Sequence, residues 1–165
     1  AITEDSASRR ADAGMAWGSL VHGLLEHAMR FPSATREDLR RLARWLVVED
    51  PSLVPVIEQA IDTVDGVKGS TRWLSARASP EHHEEAPFSV LVRRSGELPT
   101  VISGTIDLVY RDGTAWCVVD YKTDVDGGSA LAGKYAAQVA AYRDAWASVA
   151  GGRVEAQVVA TRTQT

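Results

Sequence analysis

The sequence predicts an α/β or α+β domain around one mixed sheet of about four strands, with an N-terminal helical region and a crossover helix before the last strand. Three observations predict it. Apolar residues recur at helical spacing through the first part of the chain. After Pro80 the pattern changes to short runs rich in Thr, Val and Ile, separated by turn signals. A long helical stretch then stands between the third and fourth of these runs.

The elements follow in order. Residues 1–12 are polar and are expected to be disordered. A helix is predicted over 14–31, with Trp17, Leu20, Val21, Leu24 and Ala28 as its apolar stripe, and Pro32 stops it. Thr35 and Asp38 resemble a capping box with Asp in place of Glu or Gln, opening a helix to about Glu49. A third helix is predicted over 54–64, with Asp65-Gly66 as a break, and 69–78 is ambiguous. Strands are predicted over 84–93, 99–110 and 116–123, the last two joined by a two-residue turn at Asp112-Gly113. Gly127-Gly128-Ser129 ends the sheet segment and caps a helix over 130–149, whose apolar seam is Leu131, Tyr135, Val139, Tyr142, Trp146 and Val149. A fourth strand is predicted over 153–160.

Composition bounds the function. The 165 residues are 45% hydrophobic and 24% charged, which is the balance of an ordinary globular chain and suits one domain. One cysteine excludes an internal disulfide and any cluster needing several thiolates. No apolar run approaches the roughly 18 residues of a membrane span and no signal peptide is seen, so a cytoplasmic setting without a membrane partner is expected. The net charge of −4 lacks the basic excess of a freestanding nucleic-acid binder. If the chain handles DNA, something else supplies most of the grip.

The chemistry gathers on the predicted hairpin. A turn at Asp112-Gly113 sets Asp107 opposite Val118. Asp120 is then its diagonal neighbour, at roughly 7–8 Å. Alternation puts Val118, Asp120 and Lys122 on one face of the strand, and Asp107 shares that face. The rest of the face is apolar, with Val109, Trp116 and Val118. Two carboxylates about 4 Å apart repel by roughly 4 kcal/mol at an effective dielectric of 20. Lys122 offsets part of this; a hard divalent cation, Mg²⁺ or Mn²⁺, offsets more. The plainer alternative is a pair of surface acids on a wet sheet face. His22 lies at the edge of the first helix's stripe, as a metal ligand or as a satisfied core histidine. Gly18, one turn earlier, hints at a close approach, since it costs about 1 kcal/mol of helix propensity. Gln138 falls inside the seam of the last long helix, one turn before Tyr142. Its amide either bonds a nearby carbonyl or points with Tyr142 over the acidic face. His82-His83-Glu84-Glu85 reads as a solvated patch, and the five tryptophans read as core.

Gly104-Thr105-Ile106-Asp107, then Val118-Val119-Asp120-Tyr121-Lys122-Thr123, then Tyr135, Gln138 and Tyr142, resemble the nuclease domain of RecB- and AddA-type helicase–nucleases, in the PD-(D/E)xK nuclease superfamily. Trp17-Gly18-Ser19-Leu20-Val21-His22 is similar to that family's helical G-x-x-x-H motif, and Glu85-Ala86-Pro87-Phe88 to its E-x-P-F strand. The matches run from Gly18 to Tyr142 in the family's order. The resemblance implies a restriction-endonuclease-like α/β fold and a metal-dependent DNA nuclease of repair and recombination. It implies Asp107 and Asp120 as ligands of Mg²⁺ or Mn²⁺, His22 as a further ligand and the Tyr121 carbonyl as another. Lys122 would position or activate the attacking water and stabilise charge on the phosphate. Gln138 and Tyr142 would support the site or contact DNA. Glu85 would be an additional acidic position, although the loop from Ser95 to Leu98 leaves its register open. Some relatives carry four cysteines for an iron–sulfur cluster; with Cys117 alone this chain has no such cluster. That points to the branch in which the nuclease is a C-terminal domain of a larger helicase, so the implied partners are DNA and a helicase or translocase domain. Two other readings stand beside this one: a catalytically inactive docking module of a helicase, and a small phosphodiester hydrolase.

Overall fold

The computed structural model describes residues 4–126 and 129–162, with side chains described over 14–123 and 135–161. Five helices and four strands follow the expected order: α1 (Glu4–Arg30), α2 (Arg36–Leu46), α3 (Ile57–Lys68), α4 (Thr71–Ala78), β1 (His82–Val92), β2 (Thr100–Asp112), β3 (Ala115–Asp126), α5 (Ser129–Ala150) and β4 (Val154–Arg162). They form an α/β fold on one four-stranded sheet of order β1-β2-β3-β4, in keeping with the restriction-endonuclease-like expectation. β1–β2 and β2–β3 are antiparallel. The Trp116 amide donates to the Arg153 carbonyl at 2.9 Å and the Thr161 hydroxyl to the Lys122 carbonyl at 3.4 Å, so β3 and β4 run in the same direction. The sheet is therefore mixed.

The chain divides into two compact units, and the division falls within β3. The first comprises the chain up to Trp73 with β3 from Tyr121 and β4 from Ala160. Its helices bury Leu20, Val21 and Leu24 of α1, Leu39 and Ala43 of α2, and Ala60, Ile61 and Val64 of α3. Thr35 caps α2 as expected. Its hydroxyl accepts from the Asp38 amide at 3.2 Å, and the Asp38 carboxylate accepts from the Thr35 amide at 2.9 Å. The second unit holds Leu74–Asp120, α5 and β4 as far as Val159. Within it α5 turns Ala145, with Tyr142 and Trp146, onto an apolar cluster of Phe88, Ile106, Val109, Trp116 and Val118.

Several expectations are corrected. α1 begins at Glu4, so most of the stretch expected to be disordered is helical; no Gly or Pro interrupts it before Gly14. Ala1–Thr3 lie outside the described residues, as do Gly127 and Gly128. Asp65-Gly66 does not break α3, which runs on to Lys68 behind a 3-10 turn at Pro51–Val56. Burial of Val64 and Val67 on either side of Gly66 offsets a propensity cost of about 1 kcal/mol. The ambiguous stretch is helical as α4. Trp45 is 76% exposed and Val149 72%, so neither belongs to the core; the Leu131 side chain lies outside the described residues. The hairpin loop is Gly113-Thr114, one residue later than expected, since Asp112 pairs with Ala115. Gly113 has φ +60° and Thr114 has no positive φ, which suits a type II′ turn with glycine first.

Candidate active site

The hairpin decides where the acids fall. Its register pairs Val109 with Val118 and Leu108 with Val119, so the expected Asp107–Val118 pairing is wrong by two residues. Leu108–Val119 is the last pair of the ladder, and Asp107 and Asp120 are the next residues along the two strands. A slip of one residue would have reversed the faces, whereas a slip of two keeps them for the paired residues as far as Leu108 and Val119. Asp120 is buried at 4% exposure, following Trp116 and Val118 in the alternation of β3, with Lys122 two residues beyond.

β1 supplies a second acid. Its pairing with β2 includes Glu84–Leu108 and Ala86–Ile106, and skips the position between them, where Glu85 stands across from Asp107. Glu85 has φ +48°, and among the described residues it is the one non-glycine with a positive φ. A non-glycine residue in this region costs of order 1 kcal/mol or more and is held there by its surroundings. The break also shifts the faces. The His83 ring lies 5.8 Å from that of Trp146 on α5, and the Phe88 ring 5.3 Å from that of Tyr142 on the same helix. Residues five apart on a regular strand would face opposite ways. On β2, Ile106 and Val109 enter one apolar cluster although three residues apart. Both strands therefore change phase where the two acids stand. Each acid offers a carboxylate oxygen within 4.8 Å of the other. At about 5 Å two ionised carboxylates repel by roughly 3 kcal/mol at an effective dielectric of 20, which a cation between them offsets. Hard oxygen donors of this kind suit Mg²⁺ or Mn²⁺.

In the first unit, His22 meets β3. Its Nε2–H donates to the Tyr121 carbonyl at 3.0 Å. Neighbouring ligands around an octahedral ion with bonds of about 2.1 Å are also about 3.0 Å apart, and Nε2 would have to give up the proton of this hydrogen bond to serve as one of them. One turn before His22, a Cβ on Gly18 would lie 3.1 Å from Oγ1 of Thr123. The absent side chain lets α1 approach β3 at that point. The sequence suggested a close approach at Gly18 but did not single out Thr123, although Thr123 closes the Asp-Tyr-Lys-Thr run.

Gln138 and Tyr142 meet as one turn of helix dictates. The Gln138 amide donates to the Tyr142 hydroxyl at 2.7 Å. Its partner is thus a side chain and not the nearby carbonyl that the plainer reading expected. Of the histidine–acid run, His82 lies 3.4 Å from Glu84 and His83 3.8 Å from Glu81, while the His83 ring rests on Trp116 and Trp146. That run is part of the packing and not simply a solvated patch.

Residues 2–164 match the PD-(D/E)XK nuclease superfamily. The chain belongs to this superfamily. It is also similar to an ATP-dependent helicase/nuclease subunit from Alkaliphilus oremlandii, 23% identical over 156 residues. That match covers 84% of this chain but 13% of the relative, so the chain spans a small part of that protein's length. The fold and the family together support a nuclease-type function. The acid–any–lysine pattern in the superfamily's name occurs once here, at Asp120-Tyr121-Lys122, although the chain has three lysines. The residue before Asp107 is Ile106 where the superfamily's name has proline. No helix among the described residues is long and apolar enough to cross a membrane.

Proposed function

We propose that this nuclease domain is a metal-dependent deoxyribonuclease, the nuclease module of a DNA-repair helicase–nuclease working in the cytoplasm. The observation that carries the reading is the pair of carboxylates brought together where β1 and β2 change phase, one strand away from Asp120-Tyr121-Lys122. The similarity to a helicase/nuclease subunit supports a helicase or translocase domain as partner, in the same chain or another. With a net charge of −4, the domain by itself is expected to hold DNA weakly, since phosphate contacts by Lys and Arg dominate such affinity.

Asp107, Asp120, His22 and the Tyr121 carbonyl would hold Mg²⁺ or Mn²⁺, with Glu85 as a further acid. Phosphodiester hydrolysis is slow because an anion must be attacked by a nucleophile that is itself anionic or becoming so. The ion, when bound, supplies a water of lowered pKa and neutralises charge on the phosphate. Lys122 would hold a positive charge beside the attacking oxygen, the kind of preorganised electrostatics that is often the largest contribution to catalysis. Gln138 and Tyr142 would steady the DNA strand.

The test is cleavage of plasmid and linear DNA by the purified chain with Mg²⁺ or Mn²⁺. Cleavage is expected to stop with a chelator. It is also expected to be abolished by Asp120→Ala or Lys122→Ala, each with an unchanged circular-dichroism spectrum. Divalent-dependent nicking retained by either variant would overturn the assignment.

A further inference from the structure

β2 carries a glycine, Gly104, directly across from Phe88 of β1. A Cβ at Gly104 would lie 3.0 and 3.1 Å from two atoms of the Phe88 ring and 3.9 Å from the Tyr142 ring. The ring of Phe88 therefore lies over bare backbone, a common reason for a glycine inside a strand. From that seat Phe88 meets Tyr142, with ring centres 5.3 Å apart and planes at 72°, the edge-on arrangement that aromatic pairs favour. The Tyr142 hydroxyl in turn accepts the Gln138 amide at 2.7 Å. Backbone, ring, phenol and amide form one sequence of contacts.

We propose that Phe88, seated on Gly104, is a positioning residue that fixes the Tyr142 ring and, through its hydroxyl, the Gln138 amide. Phe88 is buried at 9% exposure and acts from inside, whereas Gln138 and Tyr142 are half-buried and reach the surface. Gly104 has no positive φ, so an alanine there suits the backbone and acts through room alone, the Phe88 ring having to give by a few tenths of an ångström. The inference rests on the reading above that Gln138 and Tyr142 steady the DNA strand.

Two measurements on the full chain test it. The first is the side-chain amide resonances of Gln138 by NMR, in the wild type, Phe88→Leu and Gly104→Ala. The second is the KM and kcat for a single-stranded oligonucleotide with Mg²⁺, in the same proteins and in Tyr142→Phe. In both positioning variants the Gln138 resonances are expected to move. KM is expected to rise by about two- to twelvefold, the change that an edge-on ring pair's worth converts to, with kcat much less affected. Phe88→Leu added to Tyr142→Phe should raise KM by less than the product of the two single effects, because both act through one contact. Gly104→Ala leaves the Phe88 side chain intact and keeps the test decisive if Phe88→Leu folds poorly. Unmoved Gln138 resonances, or an additive double variant, overturn the inference while leaving the proposed nuclease untouched. Resonances that move while Tyr142→Phe cleaves normally remove the DNA role, and the inference falls with it.

Discussion

The α2–α3 pair and the β1–β2 pair follow opposite policies toward local rules. At the start of α2 and along the charged faces of α2 and α3, the local choices agree with the structure around them. Thr35 caps the helix that Asp38 helps to start. Arg36 reaches Asp62 at 2.8 Å and also pairs with Asp65, while Arg40 pairs with Glu37 and Glu58. The Arg40 guanidinium holds the Glu58 carboxyl below its usual range. Along β1 and β2 the rules fail together at one place: a non-glycine residue at positive φ, a skipped pair, a change of phase on both strands, and two acids face to face. Proteins break local consistency where function demands it, and stabilise the break from elsewhere. The contrast teaches that the cap and charge pairs of α2–α3 follow local rules, whereas β1–β2 gives them up where the two acids meet, the place at which the proposed function puts the chemistry.

Substitutions can break or sharpen that contrast. The largest effect is expected at Asp107→Asn, which should lower cleavage by about 10³-fold or more, as the loss of a preorganised charge does. Its melting temperature should hold or rise, since a repulsion with Glu85 is removed. Parallel cleavage assays and calorimetry check both, and a variant that loses stability and activity in step would erase the contrast. Glu85→Gly comes next. Glycine adopts a positive φ freely, so urea midpoints should show a gain of about 1 kcal/mol, while cleavage falls roughly tenfold. The smallest effect belongs to the helical pair. Thr35→Ala should cost about 1 kcal/mol of stability at neutral pH and leave cleavage unchanged. The effect should also depend on pH. Hydrogen bonds from Thr35 hold the Asp38 carboxyl below its ordinary value, so that contribution is present above the ordinary carboxylate pKa and is lost as the pH falls through the lowered one. Urea titrations from pH 7 to about pH 2.5 should therefore show the wild type and the variant converging.

The sequence was legible wherever periodicity and end signals agreed. The Thr35 box, the stripe of α1 and the switch to strands after Pro80 were all visible. It was less legible where a local signal competed with packing. Asp65-Gly66 looks like a break until Val64 and Val67 are seen buried. Trp45 looks like core because a large apolar residue is rarely so exposed. The hairpin illustrates a third case. Asp-Gly marks the turn, but its type, and hence the register, follows from the sign of φ at Thr114, which the letters do not specify. At the candidate site the sequence order of Asp107, Asp120 and Lys122 could be read, and so could the neighbouring strands that carry them. That Glu85 stands across from Asp107 could not, because it depends on pairing beyond the Ser95–Leu98 loop and on a backbone conformation that glutamate rarely adopts.

The two contacts between α1 and the end of β3 have a consequence for the spacing of Gly18 and His22. A helix advances about 6 Å over four residues, and a strand advances nearly the same distance over two. Gly18 and His22 are therefore commensurate with Thr123 and Tyr121, and each step on one element meets a step on the other. Moving the histidine one place nearer or farther would swing it about 100° around the helix axis and away from its carbonyl. The interval inside each half is fixed by this arithmetic, while the number of residues between the halves is not. The interval from Gly18 to His22 is thus half of a two-part ruler, and its other half is written about a hundred residues downstream, where His22 meets the Tyr121 carbonyl and, edge-on, the Tyr121 ring.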